Sequence, residues 1–282
     1  MFGGVGALLG RELKGQVRSR RAPATLTIYL ALMVVVLLGS LLVSGAASDY
    51  GASASSGQTL FIILAMTQTA LILLLGPVFA AGALAGERER QTFDTLVSTR
   101  MSSAGIVFGK VSAAVVFMVL LATSSLPLMA LAYVYGGVGP GTLFAVYAWD
   151  VLLIVWVTAL ATACSSLVGR TIWAAVVTYV LVFLSVFMTG FLEVVLQALR
   201  SSGGADQPSL FFLYLNPFAG LWELAIPGAR EEIADAARFG SFVVWGGLWH
   251  AVVSAVSLGL AVWAASPLRR LSGRRRSLPT GP

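Results

Sequence analysis

Six stretches of the chain are long and almost wholly apolar: Ala24 to Gly45, Thr59 to Ala85, Val111 to Tyr135, Phe144 to Val168, Ile172 to Leu192 and Ser241 to Ala265. A helix needs about 20 mostly apolar residues to cross roughly 30 Å of hydrocarbon, so each stretch predicts a transmembrane helix. Ser44-Gly45-Ala46 gives the first the look of a signal peptide. Its apolar run of about 22 residues is longer than a signal core of about 7–15, and it is expected to stay as a span. Ahead of it, Phe2, Val5, Leu9, Leu13 and Val17 recur at helical spacing, while Arg11, Lys14 and Arg18 fall mainly on other faces. That pattern predicts a basic amphipathic helix lying in the membrane interface; a short frayed tail is the alternative. Pro23 breaks it before the first span.

Two segments between spans carry further order. Gly86 to Lys110 reads GERERQTFDTLVSTRMSSAGIVFGK and holds six charges between Glu87 and Arg100. Placing that set in lipid would cost roughly 15–20 kcal/mol, so it lies outside the membrane. Phe93, Leu96 and Val97 share one helical face, Arg90 and Asp94 are an i, i+4 pair, and Ser102 and Ser103 are candidate N-caps. A structured helix–turn–helix with a small apolar ridge could dock on a soluble partner; a solvated loop that only marks topology is the other reading. The segment 193–240 is the longest loop. After Ser201-Ser202-Gly203-Gly204 comes SLFFLYLNPFAGLWELAIPG, which is too apolar for solvent and is broken by Pro208, Pro217 and Pro227. Short helices that dip into the outer leaflet or cap the bundle fit it; an ordinary linker is the alternative.

Composition agrees with a membrane protein. Hydrophobic residues make up 58% of the 282 and charged residues 11%, against about 25% charged in a soluble domain. The mean hydropathy is +0.89. The net charge of +6 is a topology mark rather than a nucleic-acid signal. Arg11, Lys14, Arg18, Arg20 and Arg21, then Arg88, Arg90, Arg100 and Lys110, then Arg170, then Arg269, Arg270, Arg274, Arg275 and Arg276 all fall on one side if the spans alternate. The other side has Arg200, Arg230 and Arg238, diluted by Asp206, Glu223, Glu231, Glu232 and Asp235. By the positive-inside rule both termini are cytoplasmic. The expected layout is an all-α integral membrane protein: residues 1–23 an amphipathic helix, 24–265 six spans, 266–282 a basic tail that anchors at the membrane surface.

Candidate chemistry is sparse. There is no G-x-x-x-x-G-K-S/T loop, no H-E-x-x-H and no G-x-S-x-G, so neither nucleotide binding by a P-loop nor an integral membrane enzyme is expected. One cysteine, Cys164, and one histidine, His250, exclude an intrachain disulfide and a multi-histidine metal site. Cys164 is expected as a small buried thiol. His250, beside Trp245 and Trp249, is expected at the interface or in packing. Asp150 is the one acid close to being embedded, and an intramembrane acid is a functional hypothesis. Its neighbours Tyr147 and Trp149 resemble an aromatic belt, which reads it as interfacial; Glu193 reads the same way.

The stretch E-R-E-R-Q-T-F-D-T-L-V-S-T-R-M-S followed by I-V-F-G-K resembles the cytoplasmic signature of type 2 ABC exporter permeases. Glu87, Arg88, Glu89, Thr92, Asp94, Leu96, Thr99, Ser102, Gly109 and Lys110 fit it. Gln91 stands where glycine is common and Phe93 where leucine is common. R-E-L-K-G-Q-V-R-S-R at Arg11 to Arg20 is similar to the family's N-terminal connecting helix, and Y-L-N-P-F at Tyr214 to Phe218 to its Pro-containing outer segment. The resemblance implies a permease subunit forming half of a transport path in a bacterial-type cytoplasmic membrane. A second copy or a paralogue would face it, and soluble ABC ATP-binding subunits, which carry the ATP and Mg, would dock inside. Glu87 to Leu96 would be the coupling helix, with Glu87, Arg88, Glu89, Arg90, Thr92 and Asp94 setting polar register, Phe93 and Leu96 as the ridge, and Arg170 in a second contact. Leu210 to Ile226, with Phe211, Phe212, Asn216, Pro217, Phe218 and Trp222, would be the external gate. No cofactor or metal is expected on this chain. A secondary transporter or channel acting without ATP, and a non-transporting anchor module, remain alternatives.

Overall fold

The computed structural model describes residues 10, 21–43, 54–91, 102–135, 138–202, 210–226, 228, 229, 231 and 240–266. The expected amphipathic helix at 1–23 and the basic tail at 266–282 lie almost entirely outside the described residues. Those that are described form helices and short turns, and six helices are long and apolar enough to cross a membrane. Span one is α1 (Arg21–Val43). Span two is α2 (Ala54–Ala80) continued by α3 (Gly82–Glu89). Span three is α4 (Ser103–Ser124) with α5 (Leu126–Val134), and span four is α6 (Pro140–Leu167). Span five is α7 (Thr171–Phe183), a π-helical turn at Leu184–Met188 and α8 (Thr189–Ser202). A 3-10 turn at Phe212–Leu215 and the short α9 (Pro217–Ala225) precede α10 (Phe242–Ala265), which is span six. The expected edges of spans one, four and six hold to within a few residues; span two runs on past Ala85 into the charged segment, span three starts at Ser103 rather than Val111, and span five continues past Leu192 to Leu199, into the expected loop.

α6 is the centre of the bundle. It touches α2, α3, α4, α5, α7, α9 and α10, most extensively α10, and Leu153, Ile154, Val157, Ala159 and Ala161 on it are fully enclosed. Spans one and five lie at the edge. Their most apolar stretches are 22% and 17% buried, against 56% in spans two and three. Ile28, Val35 and Leu42 on α1 and Phe183, Phe187 and Phe191 on span five point outward, as expected of surfaces solvated by acyl chains rather than water. Trp173 and Trp263 are exposed near one end of the bundle, Trp222, Trp245 and Trp249 near the other, which is the distribution of two interfacial aromatic belts.

The breaks in the spans have local causes. Pro77 lies inside α2, where its missing N–H costs a bond to the turn before it, and α2 gives way to α3 four residues later, at Ala81. The first amides of α3 would be orphans; Leu84 and Ala85 donate instead to the Ser165 hydroxyl of α6, at 3.0 and 2.9 Å. Pro127 sits in the first turn of α5, and Ser124 and Ser125 donate to the carbonyls of Leu121 and Ala122 beside that break, at 2.6 and 2.8 Å.

Asp150, expected at the interface, is instead fully buried inside the bundle. It lies ten residues into α6, about 15 Å along the axis. Gln68 and Thr69 of α2 donate to its two oxygens at 2.8 and 2.7 Å. Ser125 bonds Gln68 in turn, and Tyr29 of α1 meets Ser125 at 3.1 Å, so one buried chain of polar groups joins spans one to four. The belt reading failed because Trp149 is not a belt residue. It is 4% exposed, donates to the Pro217 carbonyl at 2.9 Å and lies against Gly220 of α9. His250 is packed between the edges of Trp149 and Trp156, with ring centroids 5.9 and 4.9 Å away, and its Nδ1 lies 2.6 Å from the Gly246 carbonyl. Of its two expected places, packing is the one found. Cys164 is buried as expected.

The Trp149–Gly220 contact is a close one, since any Cβ on Gly220 would overlap the indole. Gly220→Val is expected to cost about 1–3 kcal/mol, seen as a lower thermal unfolding temperature of the detergent-solubilised protein. Gly259→Ala, where a Cβ meets nothing within 4 Å, should not lower it.

Candidate functional site

Two regions gather the residues singled out by the sequence, one at each end of span five. At the first, α3 ends in Glu87, Arg88 and Glu89, with Arg90 as its cap. The Arg90 amide donates to the Gly86 carbonyl and that of Gln91 to the Arg88 carbonyl, both at 3.1 Å. The chain then turns through Gln91 at φ +57°. This is the left-handed region that glycine enters freely and an L side chain enters at a cost. It is also the position where the resembling family commonly carries glycine. Thr92, Phe93, Asp94 and Leu96 lie outside the described residues.

The two acids at this end bond to other spans of the same chain, Glu87 half-buried and Glu89 at the exposed surface. Glu87 pairs with Lys110 of α4 at 2.9 Å, their side chains 23% and 7% exposed. The first acid and the last base of the charged signature, 23 residues apart, thus close on each other. Glu89 accepts from the Thr171 amide at 3.0 Å and from its hydroxyl at 2.8 Å, so a carboxylate from span two caps the start of span five, where partial positive charge from unpaired amides favours an anion. Thr171 packs over Gly82 and Gly86, whose Cβ atoms, if present, would lie 3.6 and 3.8 Å from it. Arg170, one residue before that helix, is exposed. Ser102 caps α4 by accepting from the Gly105 amide at 3.1 Å, as one of the two candidate caps. Leu84, Ile106, Val107, Val111, Ala261 and Ala265 form a separate apolar cluster that ties α3, α4 and the end of α10 together.

At the opposite end, residues 210–226 cap the bundle. Asn216 does three things. Its Oδ1 accepts from the Phe218 amide at 2.9 Å and so starts α9, with Pro217 in the first helical position. Its Nδ2 donates to the Val186 carbonyl at 2.9 Å and to the Thr189 hydroxyl at 3.0 Å. Ser185 donates to the Leu215 carbonyl at 2.9 Å. The π-helical turn of span five is therefore fastened to the 3-10 turn and α9. Asn216 and Pro217 are buried, Phe212 and Phe218 half-buried, and Phe211 and Trp222 exposed. Two acids hold backbone amides here. Glu193 accepts from Phe212 N at 3.2 Å. Glu223 accepts from the Ser241 hydroxyl at 2.6 Å and from Val243 N at 3.0 Å, which fixes the start of α10. Glu193 was expected at the interface; it is 5% exposed. Between α2, span five and α9 lies a cleft of about 390 Å³ walled by Leu73, Leu74, Val182, Phe183, Phe187 and Phe218. Tyr179 on its wall donates to the Leu74 carbonyl at 2.7 Å.

Sequence reasoning missed Ser165, Gln68, Thr69 and the capping role of Glu223. Gln68-Thr69 is an amide beside a hydroxyl in mid-span, a signal that polar atoms there must find a partner; the others are visible only once the helices are packed.

The arrangement is that of a multi-pass helical membrane protein with one charged, structured end and one apolar, capped end. The chain belongs to the ABC-2 family of transporter permeases: the family model described as ABC-2 family transporter protein matches residues 7–261. It is thus a permease component of an ABC transporter, of a family that normally pairs with an ATP-binding subunit. No curated protein sequence matches the chain.

Two outcomes are expected here. Gln91→Gly should stabilise the protein by about 0.5–1 kcal/mol, the relief of left-handed strain less the entropy of glycine, read as a higher unfolding midpoint. Asp150→Leu leaves Gln68 and Thr69 without their acceptor and should cost about 1–3 kcal/mol. Asp150→Asn, which keeps an acceptor for Thr69, should cost less in the same melt.

Proposed function

We propose that this chain is the transmembrane subunit of an ATP-driven exporter of a bacterial-type cytoplasmic membrane, with both termini in the cytoplasm. A second copy or a paralogue completes the path, and two soluble ATP-binding subunits, holding ATP and Mg, supply the energy. The observation that carries this reading is the fastening of α3. A partner can drive a membrane path only through an element stiff enough to pass on its displacement. α3 is continuous with span two and is tied by Glu87 to span three and by Glu89 to span five. The segment that follows, with Thr92, Phe93, Asp94 and Leu96, forms the docking ridge, Arg88 and Arg90 set its register against the partner, and Arg170 makes a second contact. Residues 210–226 act as the external gate. The apolar cleft beside Phe218 suits a cargo with an apolar body.

A gradient-driven transporter is the second reading, and Asp150, a carboxylate enclosed by the bundle with donors from span two, is the observation that favours it. The test is a mild-detergent pull-down of the tagged chain from native membranes with an ATPase assay. Co-purification of a P-loop subunit, lost in Phe93→Asp and Leu96→Asp while both variants still insert, is the expected result. Unchanged partner binding in both variants would sink the coupling role, and ion-driven flux from a chain that purifies alone would favour the second reading.

A further inference from the structure

Span five is the least buried of the six spans, yet its side-chain hydrogen bonds to other elements collect at few places. At its start, Thr171 is held by the Glu89 carboxylate at the tip of α3. Midway, Tyr179 donates to the Leu74 carbonyl. At the π-helical turn, Asn216 takes the Val186 carbonyl and the Thr189 hydroxyl, and Ser185 takes the Leu215 carbonyl. One turn further on, Glu193 holds Phe212 N. Beyond these joints, Ile172, Trp173, Val180, Phe191 and Val194 are exposed, and Phe183 and Phe187 line the open cleft against α2. A helix packed against neighbours along most of its length, such as α6, cannot shift without repacking a core. A helix held by a few polar joints along an open flank can.

We propose that span five is a lever joining the two ends of the molecule, with the Glu89–Thr171 pair and the Asn216–Val186 bond as its joints and the π-helical turn as its hinge. π-turns inside helices interrupt the regular ladder and recur at functional sites. Here the interruption lies where the 3-10 turn and α9 are fastened. From Thr171 to Val186 the lever is about 22 Å long. A displacement of α3 reaches Thr171 through a bidentate contact, passes along α7 and arrives at the segment 212–217, which sits on the turn. Glu89 and Asn216 are positioning residues in this scheme: neither touches cargo. The inference rests on the proposed function only for the statement that the Glu89 end faces the ATP-binding subunit; the mechanical link belongs to this chain alone.

The link is tested on the full chain in membranes, without partner or nucleotide. In a Cys164→Ala background, Ala219→Cys places a thiol in the buried cluster of Tyr214, Ala229 and Phe242 under the cap, and its rate of modification by a membrane-permeant maleimide reports opening of 212–217 with α9. Glu89→Ala and, more gently, Thr171→Val are expected to raise that rate by about fivefold or more, the lower range of coupling between linked sites. Ser266→Ala, a hydroxyl bonded only within its own turn at the Glu89 end, should leave it unchanged. Coupling must also run backwards: Asn216→Ser, which keeps a helix cap but is too short to reach Val186, should raise the modification rate of Ala174→Cys, buried against Ala81 near the first joint. Rates unchanged within about twofold in both Glu89→Ala and Thr171→Val, or an equal rise in Ser266→Ala, would overturn the lever, as would a response in one direction only. A pull-down that yields no ATP-binding subunit defeats the proposed function and leaves these rates as they are.

Discussion

Inside the hydrocarbon a backbone amide or carbonyl that leaves its helix ladder meets no water, and an orphaned group there costs several kcal/mol. Most of what is irregular in this bundle is arranged around that constraint. Where span two breaks at Ala81, Ser165 of the central helix accepts from two amides of the restarted helix. Where span three breaks ahead of Pro127, two serines take carbonyls of the last turn. Where span five widens into a π-helical turn, Asn216 takes a carbonyl of that turn. Each break is thus fastened by an element distant in sequence or by its own adjoining turn.

The same constraint explains how the charged signature works. Glu87, at the end of span two, pairs with Lys110 of span three, so an ion pair ties the two spans at this end. Glu89 uses its two oxygens on an amide and a hydroxyl of a different span. Glu87, Glu89 and Lys110 of the charge pattern therefore organise the permease itself. The left-handed turn at Gln91 follows directly on these contacts.

Much of the fold was legible from the chain. Six apolar runs, each near the length that spans a bilayer, mark six helices, because in lipid only a closed hydrogen-bond ladder is tolerated. Ser102 was readable as a cap, and Asn216-Pro217 belonged to a segment too apolar for solvent. What was not legible depends on which face of a helix meets which neighbour. Spans that are apolar all round carry little helical periodicity, so nothing in the run around Tyr147, Trp149 and Asp150 tells an interfacial belt from an inward face. That ambiguity misplaced Asp150 and hid the part of Trp149. Gln91 shows the converse. Gln91 stands where glycine is common, yet the left-handed turn is made, with the amides of Arg90 and Gln91 bonded back to α3.

The order in which the spans are made adds a last consequence. The most extensive partner of the central helix is α10, the last of the six to be synthesised. Until it arrives, Trp149 and Trp156 have no His250 between them, Glu223 has no helix start to hold, and the ridge of Leu84, Val107 and Val111 lacks Ala261 and Ala265. The first four spans already share a core and a buried polar chain, so the sixth helix closes an assembly that is partly formed, and its insertion completes both ends of the bundle at once.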